Sequence, residues 1–166
     1  MQLLDDDFQV VHRGGMVYAG FWQRFLAVIV DSIIVGVPLL IVYLISNGFS
    51  LFNRGLSIGI GYSFGSLIAF WVYEAVMISS DRQATFGKEL LNIRVTDMSG
   101  GQLNFQQASV RYFAKSIVEV VGLVVNTGAL YSVISLVSFV GYIMQPFTEK
   151  KQALHDIVAN TLVVLR

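Results

Sequence analysis

Cysteine is absent from the 166 residues, which excludes disulfides and thiolate metal sites and removes any mark of redox compartment. Charge is scarce: Asp, Glu, Lys and Arg make up 13% of the chain, and eleven acids cancel eleven bases. Without a net field, nucleic acid or another highly charged partner is not expected. The two histidines, His12 and His155, stand at no ligand spacing, so neither a metal nor a cofactor is expected. No Gly-rich phosphate loop, nucleophile elbow or His-Glu-x-x-His pattern occurs, and the chain is not expected to be an enzyme. The stretch Met1 to Gly14 carries Asp5, Asp6 and Asp7 where a cleaved signal would be basic, so the first apolar block is expected to stay as a helix.

What the chain does have is apolar length. Hydrophobic residues are 55% of the total and the mean hydropathy is +0.66, with Leu, Ile, Val and Phe in blocks longer than a soluble core element needs. Alternating ten-residue strands, the mark of a membrane barrel, are missing. The fold class is therefore all-α membrane, a single domain over 1–166 with the lipid bilayer as its first partner. Spans are expected at about 21–45, 56–79, 108–126 and 129–145. Pro38 lies inside the first, where neighbouring helices repair the lost backbone bond. In the second, Gly55 with Gly59 and Gly61 with Gly65 repeat at a spacing that lets another backbone approach, within the subunit or in a homo-oligomer.

Between the second and third spans the chain turns polar. Leu91, Ile93 and Val95 alternate with Asn92, Arg94 and Thr96 before Ser99-Gly100-Gly101, which predicts a small β-hairpin over about 90–105 outside the membrane. Thr161 to Leu165 is rich in β-branched residues, and the short strands are expected to pair with each other, with Leu103 to Phe105 as a third element. Arg82, Lys88 and Arg94, and in the 146–166 tail Lys150, Lys151 and Arg166, mark two segments as cytoplasmic, whereas the loop after the first span holds only Arg54. That pattern predicts four helices, multi-pass in the plasma membrane with both termini cytoplasmic. The alternative is three spans, with one long tilted third helix and an external tail.

Four ionisable residues, Arg24, Asp31, Glu74 and Glu119, fall inside stretches apolar enough to cross a bilayer, where burial in lipid is costly. A charge at the centre of a membrane helix costs roughly 2.5–3.5 kcal/mol, so it faces a partner, water or a substrate path. Arg24 and Asp31 are two turns apart on one face of the first helix, and Glu74 approaches from the antiparallel second helix within about one turn of the same depth. Arg24 is thus placed to serve either acid. Asp156 follows a basic, surface-seeking segment, within reach of Arg24, Lys88 or Arg94, and the expectation is one cluster of Arg24, Asp31, Glu74 and Asp156. A second polar stripe, Arg111, Lys115 and Glu119, runs in four-residue steps along the third span.

The segments Phe21-Trp22-Gln23-Arg24-Phe25-Leu26-Ala27 through Asp31, Gln83-Ala84-Thr85-Phe86-Gly87-Lys88 with Leu90-Leu91-Asn92-Ile93-Arg94-Val95, and Gln152-Ala153-Leu154-His155-Asp156-Ile157-Val158-Ala159 together resemble the RDD family of bacterial membrane proteins. That family is named for an Arg and an Asp in its first helix and an Asp near its end, which Arg24, Asp31 and Asp156 match. Phe86 stands where the family usually has Pro, and Asn92 and Asn160 where it commonly has Gly. The resemblance implies either sodium/proton antiport, proposed for some members, or association with other membrane machinery.

Two functions follow from the residues. As a cation or proton transporter, the chain would use Asp31 or Glu74 as the coupling carboxylate, its affinity for protons set by burial against the charge of Arg24. Four helices make a small bundle for alternating access and no inverted repeat is visible, so a transporter of this size would have to oligomerise. As a membrane scaffold or accessory subunit, it would dock a partner protein through the second helix or the polar platform.

Overall fold

The computed structural model describes residues 12–13, 16–46, 60–117, 120–121 and 129–166. It is mostly helical, with a small sheet. Helix α1, Phe21–Ser46, has 26 residues with Pro38 inside it, and Gln23 accepts the Gly20 amide at its start. Its buried residues are Ala27 and Asp31, while large apolar side chains such as Ile33, Val42 and Ile45 point outward. Among the described residues α1 is the one helix both long and apolar enough to cross a bilayer. Helix α2, Ile60–Ile78, is equally apolar; residues 56–59 of the expected second span lie outside the described residues.

Strands β1, His12–Arg13, and β2, Met16–Val17, pair before α1. After α2 come the one-turn helix α3, Phe86–Leu90, and strand β3, Ile93–Asp97. The hairpin expected over about 90–105 does not form. β3 instead pairs antiparallel with β4, Thr161–Leu165, with Ile93 opposite Leu165 and Asp97 opposite Thr161. Tyr18 bridges to Val164 on the other side of β4. The expected pairing of Ile93 and Val95 with the 162–164 strand is present; Leu103 to Phe105 do not join it. The reason lies in the turn: the Asp97 carboxylate accepts the amides of Ser99 and Gly101, and Asn104 then caps a helix instead of extending a strand.

That helix, α4, runs Phe105–Lys115. Asn104 and Gln107 exchange side-chain and backbone hydrogen bonds in a capping box, so the third helix starts before the Ala108 expected, and it ends at Ser116. Residues 118–119 and 122–128 are outside the described residues. Helix α5, Ala129–Ile143, gives way to a 3-10 turn, Gln145–Phe147, where Pro146 has no amide hydrogen to continue the α-helical ladder, so the helix ends short of the expected Gln145. A short helix α6, Leu154–Val158, then leads into β4. Asn92 and Asn160, which precede β3 and β4, both take positive φ, 54° and 51°. Asn is among the few non-glycine residues that tolerate this region, which is how it serves where the resembling family has Gly.

The core gathers at one end of the helices. Ala27 of α1, Ala75 of α2 and Ala108 of α4 are fully buried, small enough for close helix approach, and they rest on Ile93, Val95 and Val163 of the sheet.

Candidate functional site

Beside that core the buried side chains are charged. Asp156 is wholly buried, and Arg111, Glu74, Lys88 and Asp31 are each less than one-tenth exposed. Arg111 on α4 holds the centre. Its Nε and Nη2 donate to Asp156 Oδ1 at 3.1 and 2.7 Å, and its Nη1 donates to Glu74 Oε1 at 3.1 Å. Arg24 donates through Nη1 to Asp156 Oδ2 and through Nη2 to the Lys151 carbonyl at 2.6 Å. Asp156 Oδ2 also accepts the Ala153 amide at 3.1 Å, as an N3 acid does at a helix start. Glu74 receives Lys115 on Oε2 and Lys88 on Oε1, the latter at 3.5 Å. Arg111 and Lys115 meet one acid because they are four apart on one helical face.

Asp31 is held differently, by three neutral donors. Tyr73 Oη, Thr85 Oγ1 and the Gly87 amide reach it at 2.7, 2.6 and 2.8 Å. Thr85 Oγ1 accepts from Lys88 Nζ at 3.3 Å, so Asp31 joins the others through Thr85 and Lys88. Only glycine permits this at position 87, because a Cβ there would stand 2.2 Å from the Ala27 carbonyl oxygen and 2.9 Å from the Asp31 carboxylate. Arg24, expected to serve Asp31 or Glu74, turns to Asp156 instead. The 85–87 segment already supplies donors to Asp31, and Arg24, three residues into α1, lies level with the tail.

Electrostatics fix the protonation of the tail. Burial alone would raise the Asp156 carboxyl, but the guanidiniums of Arg111 and Arg24 hold it well below the usual carboxylate range. Burial pushes the His155 imidazole down to about 3, against the pull of Asp156, so this ring is neutral at neutral pH. Its Nε2 lies 3.4 Å from Asp156 Oδ1 as a polar contact, not an ion pair, and its ring packs on Tyr142.

The four residues of the expected cluster are thus linked: Arg24 takes Asp156, one of the partners expected for that acid, and makes no ion pair with Asp31 or Glu74. Of the residues read as a separate stripe, Arg111 bridges Glu74 and the tail and Lys115 pairs with Glu74, while Tyr73, Thr85, Gly87 and Lys88 complete the network. Glu119, Gly55 and Gly59 lie outside the described residues. Gly61 falls in α2, and a Cβ at Gly65 would meet no atom within 4 Å, so Gly65 makes no close contact within the described subunit. Among the described residues no group of three or more His, Asp or Glu could hold a metal ion. Arg24, Lys88, Arg111 and Lys115 thus pair directly with Glu74 and Asp156, while Asp31 joins them through Thr85 and Lys88, and the loss of any one of these charges would upset the balance on its buried partners.

Known proteins of similar sequence exist. The chain is 30% identical to the uncharacterized protein YxaI of Bacillus subtilis, over 89% of this chain and 97% of that protein. It is 29% identical to the uncharacterized membrane protein YteJ of the same organism, over 89% of this chain and 80% of that one, and 29% identical to its uncharacterized protein YckC, over 87% and 83%. No solved structure matches. The family model described as RDD family matches residues 18–160, which takes in Arg24, Asp31, Glu74, Arg111 and Asp156. With that match and the apolar helix α1, this chain belongs to the RDD family of membrane proteins.

Proposed function

We propose that the chain is a membrane scaffold or accessory subunit, in which the membrane helices carry a small rigid unit, the β3–β4 sheet with α3 and α6, against which a partner membrane protein or a second copy docks. The observation that carries this reading is saturation: Glu74 accepts from three cations, Asp156 from two guanidiniums and a backbone amide, and Asp31 from three donors. Carboxylates bound in this way fasten elements together and are poorly suited to exchanging protons or cations. The role involves no catalysis and no nucleic acid.

The proposal includes four spans in the plasma membrane, with both termini cytoplasmic. The antiparallel pairing of β3 with β4 supports an even number of crossings between them, since the two strands must share one side of the bilayer. The excess of Lys and Arg in the same segments supports the cytoplasm as that side. Single cysteines at Gln102 and Arg166 are expected to label from the cytoplasm alone, and external labelling at Arg166 would overturn this topology.

A second reading, cation or proton exchange, is favoured by one observation: the donors to Asp31 are all neutral, so this acid lacks the direct ion pairs of Glu74 and Asp156. Proton flux in liposomes under an imposed gradient separates the two. The scaffold reading expects no flux above empty liposomes from the parent or from Asp31→Asn, with a lowered melting temperature in the variant. Flux in the parent that Asp31→Asn abolishes would overturn it and establish exchange at Asp31.

A further inference from the structure

The short elements between the membrane helices carry large apolar side chains on their outer surface. On α3, Phe86 and Leu90 are 45% and 68% exposed, and Phe147 in the 3-10 turn is 84% exposed. Leu154, Ile157 and Val158 on α6 are also exposed. A soluble platform would not present such a set to water. Their depth explains it. Gly87 lies against Ala27 and Asp31, which sets α3 six to ten residues, about 9–15 Å, along from the start of α1. Gly141, in the last turn of α5, lies against Leu154, which sets α6 at the end of that helix. The 26 residues of α1 span about 39 Å, more than the roughly 30 Å of hydrocarbon in a bilayer, so α1 continues into the headgroup zone. Trp22, half-exposed in its first turn, is the residue type that marks that zone.

We propose that α3, the 3-10 turn and α6 form an interfacial collar bedded in one leaflet, with Phe86, Leu90, Phe147, Leu154, Ile157 and Val158 among the acyl chains. α3 packs on α1 and meets Tyr73 and Glu74 of α2 through Phe86 and Lys88, and α6 packs on α4 and α5, so the collar meets the bundle from two sides. Charge selects the lipid. Exposed Arg82, whose guanidinium covers the Phe86 ring at 5.5 Å and donates through Nη1 to the half-buried Glu89 at 3.2 Å, and exposed Lys150, three residues after Phe147, stand at the polar margin as basic side chains do when they reach anionic phosphates. The occupant of this surface is therefore a bilayer containing anionic phospholipid. The inference does not depend on the scaffold reading.

Because the chain has no cysteine, single-cysteine variants of the full chain each carry one spin label. Leu90→Cys, Phe147→Cys and Val158→Cys, with Ser99→Cys in the Asp97 turn as the aqueous reference, are placed one copy per nanodisc in phosphatidylcholine containing phosphatidylglycerol. Oxygen is expected to relax the first three labels more than a neutral nickel chelate does, and the reverse is expected at Ser99. Nickel access at Leu90 and Phe147 equal to that at Ser99 overturns the collar. Labels shielded from both reagents would give this face to a protein contact and overturn it as well. Replacing Arg82 and Lys150 together by Gln is expected to raise nickel access at Phe147, and no change would overturn the headgroup assignment.

Discussion

The outer half of α1 and the junction around Arg111 obey opposite rules of burial. From Ile33 to Ile45 the large apolar side chains are outside, with Ile45 76% exposed, whereas at the junction the ionised side chains are inside, with Asp156 wholly buried and Arg111 3% exposed. In the proposed topology the surroundings of the first region are acyl chains, which accept any apolar shape, so residues act singly. In the second each charge is buried only because others balance it, so residues act together. One chain thus contains a stretch tolerant of change and a cluster intolerant of it, and what divides them is the need for partners.

The sharpest way to break that contrast is Arg111→Met. It leaves Asp156 with Arg24 alone and strips Glu74 of one of three cations, and a loss of about 3–5 kcal/mol is expected from a broken buried pair. Denaturant titration of the purified protein measures it. Gly87→Ala comes next. The added methyl would strike the Ala27 carbonyl oxygen, backbone that cannot swing aside, and overpacking of this kind costs about 1–3 kcal/mol. The same titration applies, and an unchanged midpoint would mean that α3 does not sit against α1.

The acid limb of stability sharpens the contrast further. The Asp156 carboxyl is held below its ordinary value near 3.8, so its contribution is fully present above that pH and is lost as pH falls through its folded value. Melting temperature in the parent is therefore expected to fall below about pH 4 more steeply than in Asp156→Asn, which has no carboxyl to protonate. The smallest effect is expected at the other pole: Ile45→Ala should change stability by no more than about 0.5 kcal/mol, since lipid replaces the lost contacts. A loss of several kcal/mol there would show that Ile45 faces protein.

Much of this was readable from residue order. The long first helix and the strand character of Ile93 to Val95 and of Thr161 to Leu165 follow from local pattern, and the pairing of those two was expected because neither is long enough to be stable alone. The contacts that make the site are long-range, and pattern does not specify them. Period-two alternation says strand without naming the neighbour, so the turn at Ser99 to Gly101 suggested a hairpin, although Asp97 beside it is an acceptor that closes the turn locally. The start of α4 carried a usable signal, Asn104 three residues before Gln107, which outranks the end of the polar stretch at Gln107 as a mark of the helix beginning. Matched depth brought Arg24, Asp31 and Glu74 together on paper, but depth could not tell which acid Arg24 would take. The donors that decide it, Thr85 and Gly87, sit in a segment with no periodicity. Lys88 and the Arg111–Lys115 step were visible as cations in an apolar chain, and Glu74 as a buried acid, but that all three cations would share Glu74 was not.

The central claim is that the charges bind the tail to α1. A double-mutant cycle on Arg24→Gln and Asp156→Asn, followed by denaturant titration in one detergent, tests it most directly. A coupling of about 1–3 kcal/mol is expected, with Arg24→Gln costing far less once Asp156 is neutral. Additive losses, agreeing within about 0.5 kcal/mol, would mean that the two residues stabilise the fold independently and would contradict the account.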